Sequence, residues 1–141
     1  MTYCEKIKCV KILLVDEDDN LTKKIEKILE EKNFECVISN EISTGLLMIL
    51  EQKFDIVVLD LNMFKPLSND MIEFLAIIRK LNEQKLILTT KLLLNKDLML
   101  KIMRNGFDAF LVKPLNIETF CEIINRKDSP SETGVNTAFD N

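Results

Sequence analysis

Five side chains in this 141-residue chain have types and positions that could do chemistry together. Asp16 and Glu17 follow an apolar run at 10–15. Asp60 ends a second run at 56–59. Thr90, with Thr89 before it, ends a third at 86–90. Lys113 follows a fourth at 109–112. Three carboxylates, a hydroxyl and an ammonium, each just past a short apolar segment, suit the transfer of a phosphoryl group. Carboxylates gathered at one point cannot all ionise without a compensating charge. Mg²⁺ is the natural partner, because it takes a few carboxylate oxygens and keeps waters for a phosphate. Asp60 would be the nucleophile, giving an aspartyl phosphate. The metal and Lys113 would neutralise the transferring oxygens, and Thr90 would hydrogen-bond one of them.

What the chain lacks narrows the chemistry further. It has no histidine. That removes Ser–His and Cys–His nucleophiles, zinc–histidine sites and a phosphohistidine on this chain. The four cysteines, Cys4, Cys9, Cys36 and Cys121, form no CxxC pair and read as reduced thiols of a cytosolic protein. A net charge of −4, from 19 basic and 23 acidic residues, argues against a nucleic-acid surface. The N-terminal residues show no signal-peptide core, and no apolar run approaches a membrane span. With 47% hydrophobic and 30% charged residues, the composition is that of one ordinary globular domain with a real core.

The elements that must position these residues follow from apolar periodicity. Short runs at 10–15, 34–39, 56–59, 86–90 and 109–112 read as buried strands. Leu21, Ile25, Ile28 and Leu29 mark an amphipathic helix that runs to about Lys32. A second helix, capped by Ser43 or Thr44, buries Leu46, Ile49 and Leu50. A third spans 71–81 with Phe74, Leu75 and Ile78 inward. A fourth spans 95–105, stopped by Gly106 as a left-handed cap. Asn116 caps a fifth, with Ile117, Phe120, Cys121 and Ile124 on one face. Strands alternating with helices predict an α/β three-layer sandwich on a parallel sheet with right-handed crossovers. The carboxyl ends of the strands then share one edge, where ligands bind in such folds. The polar, turn-rich stretch after about Lys127 reads as a tail or the start of a linker.

Taken singly, each residue also has an ordinary structural reading. Asp16 to Asp19 is a solvated helix start, Asp60 a cap, Lys113 a surface lysine, and Thr89 and Thr90 strand residues. Phe110 is core, and Met48, Met99 and Met103 are packing. The run Leu92-Leu93-Leu94 with Leu98 and Leu100 either packs locally or forms a partner surface.

Three stretches taken together carry a family resemblance: Lys11-Ile12-Leu13-Leu14-Val15-Asp16-Glu17-Asp18, Asp55-Ile56-Val57-Val58-Leu59-Asp60-Leu61-Asn62-Met63, and Gly106-Phe107-Asp108-Ala109-Phe110-Leu111-Val112-Lys113-Pro114. The chain resembles a response-regulator receiver domain of two-component signalling, chemotaxis-regulator-like, over residues 10 to about 126. The resemblance implies a flavodoxin-like (βα)5 fold with strand order 2-1-3-4-5. It implies Asp60 as phosphoacceptor, Glu17 as direct Mg²⁺ ligand with Asp16 supporting, and the Asn62 backbone carbonyl as a further ligand. It implies Lys113 on the phosphoryl group, Thr90 (or Thr89) as switch hydroxyl, Phe110 as aromatic switch, and a cis Lys113–Pro114 bond. The donor would be a histidine kinase or phosphotransfer protein. A homodimer or effector contact would use the fourth helix, fifth strand and fifth helix. Nucleic acid and membrane are not expected partners of this domain, and the location is cytoplasmic. The domain layout is an extension at 1–9, the receiver at 10–127 and the tail at 128–141.

This sequence departs from the family pattern in several places. Glu17 replaces the commoner Asp, and Phe64 stands where proline is usual. Met71 occupies the place of a glycine when Ile72-Glu73 is aligned to its usual neighbours, and by that alignment the loop after Asp60 is about three residues longer than usual. Lys91 follows Thr90 where a small residue is usual. These departures motivate a second reading: a degenerate receiver that binds partners without phosphorylation. A third is a haloacid-dehalogenase-like phosphatase, but that chemistry expects an aspartate two residues after the nucleophile, where this chain has Asn62. Whether an output domain follows the tail is open at the level of sequence.

Overall fold

Every position of the strand that ends in Asp60 is buried, as a strand covered by helices on both sides must be. The structure is a computed structural model that describes residues 9–91 and 94–126. Most of the expected extension (1–9), Leu92 and Leu93 of the leucine run, and the expected tail (128–141) lie outside the described residues. The elements alternate strictly: β1 Lys11–Val15, α1 Asp19–Glu31, β2 Glu35–Ser39, α2 Ile42–Glu51, β3 Ile56–Asp60, α3 Asn69–Asn82, β4 Lys85–Thr90, α4 Lys96–Arg104, β5 Ala109–Val112 and α5 Ile117–Asn125. A 3₁₀ turn, Leu61–Met63, follows β3 directly. All strand pairs are parallel, and the sheet order is β2-β1-β3-β4-β5, the flavodoxin-like order.

Side chains alternate across a strand, and here the alternation builds two cores. Leu13, Val57, Leu59, Leu88 and Phe110 face Ile49 of α2, Ile72 and Leu75 of α3, and Ile102 of α4. Ile12, Leu14, Val58, Ile87 and Leu111 face Ile25 and Leu29 of α1 and Phe120 and Ile123 of α5. Each fully buried Leu, Ile or Phe contributes about 1.5–3 kcal/mol, so the two layers of side chains hold the sheet's ends in fixed register.

Local chemistry sets the helix starts. Asp18 accepts from the Leu21 N–H at 3.1 Å, Asn95 from Leu98 at 2.8 Å, and Asn116 from Thr119 at 3.0 Å. Ser68 accepts from Met71 at 3.2 Å, so α3 begins two residues before the apolar pattern does. The Ser43 or Thr44 cap expected for α2 is not what forms. The helix starts at Ile42 from Glu41, without a side-chain cap. The reason is one turn upstream: Ser39 Oγ donates to the Glu41 carbonyl at 2.8 Å and closes the chain early. Gly45 on α2 lies against β1; a Cβ there would be 2.7 Å from Val15 Cγ1. Gly106 has φ of +70°, as its expected role in ending α4 requires.

Two polar ties brace the end of the sheet opposite Asp60. Arg79 of α3 donates to both oxygens of buried Asp108, at 2.7 and 2.8 Å, and Asp108 also accepts from the Leu86 N–H at 2.7 Å. This pairing holds the Arg79 guanidinium above its ordinary pKa, the hydrogen bond to Asp108 outweighing burial. Lys85 Nζ, at the start of β4, donates to the Arg126 carbonyl at 2.6 Å and reaches that of Ile123 at 3.5 Å. A cation on the last carbonyls of a helix satisfies groups that have no partner inside it.

Candidate functional site

β1 and β3 are adjacent in the sheet with Val15 opposite Leu59, so the next residues, Asp16 and Asp60, emerge side by side. Both are buried; Asp60 is 1% exposed. Lys113, just past β5, reaches between them. Its Nζ is 2.5 Å from Asp16 Oδ2 and 3.2 Å from Asp60 Oδ2. Ninety-seven residues separate Lys113 from Asp16, and only the parallel sheet brings them together. The Lys113–Pro114 bond is cis, and so is Lys65–Pro66 in the loop after β3.

The remaining oxygens of both aspartates are fixed by backbone. Asp60 Oδ1 accepts from the Asn62 N–H at 3.0 Å, which starts the 3₁₀ turn. Asp16 Oδ1 accepts from the Asp18 N–H at 2.9 Å. Asn40, just past β2, donates its side-chain amide to the Asp16 carbonyl at 2.8 Å. The acidic turn is therefore pinned from two directions.

Burial pushes the Asp60 carboxyl above the ordinary carboxylate range, and the nearby Asp16 adds to that. The Asn62 N–H and Lys113 work the other way without cancelling it. Burial works against the Lys113 ammonium, but the hydrogen bond to Asp16 and the charge of Asp60 outweigh it and hold its pKa above the usual lysine value. One ammonium thus serves two carboxylates, and the centre carries surplus negative charge. The donors at this centre are hard carboxylate oxygens, which suit Mg²⁺ rather than a soft metal.

The other residues expected from sequence are placed as follows. The Glu17 side chain is exposed and borders an apolar trough of about 770 Å³, with Leu61, Asn62, Phe64, Lys91 and Leu98 among its walls. Among the described residues, no three acidic or thiol side chains form a group that could hold a metal ion, so Glu17 does not join Asp16 and Asp60 here. Thr90 and Thr89 separate clearly. Thr89 lies opposite Asp60 in the sheet register, but its buried hydroxyl makes no hydrogen bond among the described residues. Thr90 shares a strand face with Leu86 and Leu88, and its hydroxyl reaches Asn62 Oδ1 at 3.4 Å. Phe110 is 1% exposed and already packed into the core. Phe64 is buried in that same core, so the residue that departs from the usual proline fills volume.

Reading by sequence missed two polar side chains that build this site, Asn40 and the amide of Asn62. Asn40 and Asn62 lie just past the carboxyl ends of strands, the same signal that singled out Asp60. Being neutral, they drew no attention as chemistry.

Comparison with known proteins points in one direction. Residues 12–125 match the family described as response regulator receiver domain. The chain is similar to the response regulator ArlR of Staphylococcus saprophyticus, 32% identical over 114 residues; the match covers 77% of this chain and 47% of that protein. The chain therefore spans about half the length of this relative. In fold it is similar to a CheY-like response regulator receiver domain protein from Methanospirillum hungatei, with TM-score 0.71 and 24% identity, covering 83% of this chain and 91% of that one. It is also similar to a response regulator from Burkholderia pseudomallei whose crystal structure holds a phosphorylated aspartic acid, a calcium ion and citrate. There the TM-score is 0.69 at 18% identity, covering 87% of this chain and 69% of that one.

Proposed function

The chain belongs to the response regulator receiver domains of two-component signalling, and on that premise we propose that Asp60 accepts a phosphoryl group from a phosphohistidine on a partner histidine kinase or phosphotransfer protein. The observation that carries the reading is the Lys113 ammonium held between the carboxylates of Asp16 and Asp60. In the transfer, an Asp60 carboxylate oxygen forms the new O–P bond as the donor's N–P bond breaks, and the imidazole leaves with the electron pair. Lys113 stands where the phosphoryl oxygens arrive and neutralises their charge. Burial makes that ion pair stronger than it would be in water.

Asp16 and Asp60, Glu17 after a turn of its side chain, and the Asn62 carbonyl would hold Mg²⁺, which supplies charge neutralisation on the phosphoryl oxygens when bound. Two buried carboxylates sharing a single ammonium support this. The Burkholderia relative, whose crystal structure holds both a phosphorylated aspartic acid and a calcium ion, fits the same picture.

The domain is a signalling element; its catalysis is confined to its own phosphorylation and dephosphorylation. Thr90 is the switch hydroxyl in this reading, supported by its contact with Asn62. Phe110, buried in the core, is the aromatic switch position in this reading. Exposed Leu100 and Met103 on α4 support an effector or dimer contact on the face of α4, β5 and α5.

Acetyl phosphate with Mg²⁺ should add one phosphate to the chain by intact mass, and Asp60→Asn should abolish it. An unmodified wild type would remove the reading. The exposed Glu17 favours one rival, a receiver that binds partners without phosphorylation. Mg²⁺ titration separates the two, since that rival should show no spectral response.

A further inference from the structure

The side chain of Asn62 does something the transfer itself does not require. Its Oδ1 accepts from the backbone N–H of Lys91 at 2.5 Å and from the hydroxyl of Thr90 at 3.4 Å. Because the partner is a backbone donor, the end of the amide that faces β4 is the oxygen. The backbone N–H of the same residue donates to Asp60 Oδ1 at 3.0 Å. Asn62 thus spans from the β3 carboxylate to the last residue of β4 and the one beyond it.

A hydroxyl and the next backbone N–H, both at the carboxyl end of β4 beside Asp60, are the donors that a phosphoryl group on Asp60 would draw on. In the resting protein an oxygen of the chain itself engages both. We propose that the Asn62 side-chain carbonyl is an internal surrogate for a phosphoryl oxygen, a latch that holds the β4 end in its resting position and must be displaced when Asp60 is phosphorylated. Asn62 acts here as a positioning residue, through Thr90 and Lys91. The inference rests on reading Asp60 as the phosphoacceptor. Its consequence is thermodynamic: the group that stabilises the resting state competes with the modified one, so the latch lowers affinity for anything that mimics the phosphoryl group.

The test uses ¹⁵N-labelled full chain and beryllofluoride with Mg²⁺ as the phosphoryl mimic. Amide exchange at Lys91 should be slow in the wild type, at least several-fold faster in Asn62→Ala, and slow again in Asn62→Asp, which keeps an oxygen at that position. Asn62→Ala should bind beryllofluoride roughly tenfold more tightly than the wild type, the scale of one or two modest hydrogen bonds removed from the competing state. Asn62→Asp should bind no more tightly than the wild type. Unchanged Lys91 exchange in folded Asn62→Ala, or equal or weaker beryllofluoride binding, overturns the latch while leaving Asp60 as acceptor intact. A wild type that takes neither beryllofluoride nor phosphate from acetyl phosphate overturns the underlying reading and the latch with it.

Discussion

Lys113 is bound more closely to Asp16 than to Asp60: the contacts are 2.5 and 3.2 Å. The lysine's shorter contact is to the carboxylate that is not the proposed phosphoacceptor. Asp60 has the longer contact with the ammonium, and burial, above all, keeps its pKa raised.

Removing Lys113 should therefore be costly to the fold as well as to function. Lys113→Met leaves Asp16 and Asp60 buried with no counter-charge and should lose about 3 kcal/mol at pH 7. Urea denaturation measures this. Adding Asp60→Asn to the same chain should recover a large part of the loss, because one of the two stranded charges is gone.

Asp60→Asn alone should stabilise the protein at neutral pH, by about 1 kcal/mol or a few degrees in Tm. The sign follows from linkage. A folded pKa above the unfolded one means the native state holds more protons, so stability falls as pH rises through that window. In wild type this loss begins near the ordinary value of 3.8 and is complete above the raised native value. Melting curves from pH 4 to pH 8 should show the variant gaining on wild type as pH rises. A gap that shrinks with pH would contradict the assignment.

The two threonines should part company. Thr89→Val removes a buried hydroxyl that makes no hydrogen bond among the described residues, and should be neutral or stabilising by up to about 1 kcal/mol. Phosphorylation by acetyl phosphate should continue at the wild-type rate. Thr90→Val should leave stability within about 1 kcal/mol but weaken beryllofluoride binding about tenfold, because the hydroxyl that meets the phosphoryl group is lost. Titration of both variants distinguishes them.

Gly45→Ala should destabilise by about 1–3 kcal/mol, because the new Cβ overlaps Val15 Cγ1 at 2.7 Å. Val15 is the residue before Asp16, so the chemical shifts of the acidic turn should move as well. A variant as stable as wild type would show that α2 can shift outward freely.

Charged residues at strand ends were legible from sequence because their type and place are unusual together. Asp16, Asp60 and Lys113 converge as the strand pattern requires. The family resemblance implies Glu17 as a metal ligand; its side chain, one bond longer than aspartate, is exposed and borders the trough. Asn62 was read only for its backbone carbonyl. What its amide does depends on where β4 ends relative to β3, a tertiary relation that no local pattern encodes. The same holds for Asp108. It lies within a recognisable motif, yet its partner Arg79 is 29 residues away and announces itself only in three dimensions. The α2 start was misplaced because the decisive hydroxyl, Ser39, lies in the preceding strand.

β4 has a mechanical meaning beyond its place in the sheet. Its carboxyl end holds Thr90, and its first residue, Lys85, grips the final carbonyls of α5. One six-residue strand therefore ties the candidate site to the end of α5. In a close-packed interior a strand of this length does not stretch. Its two ends lie roughly 20 Å apart by strand geometry, so one continuous strand joins the Thr90 end to the lysine that holds the Arg126 carbonyl.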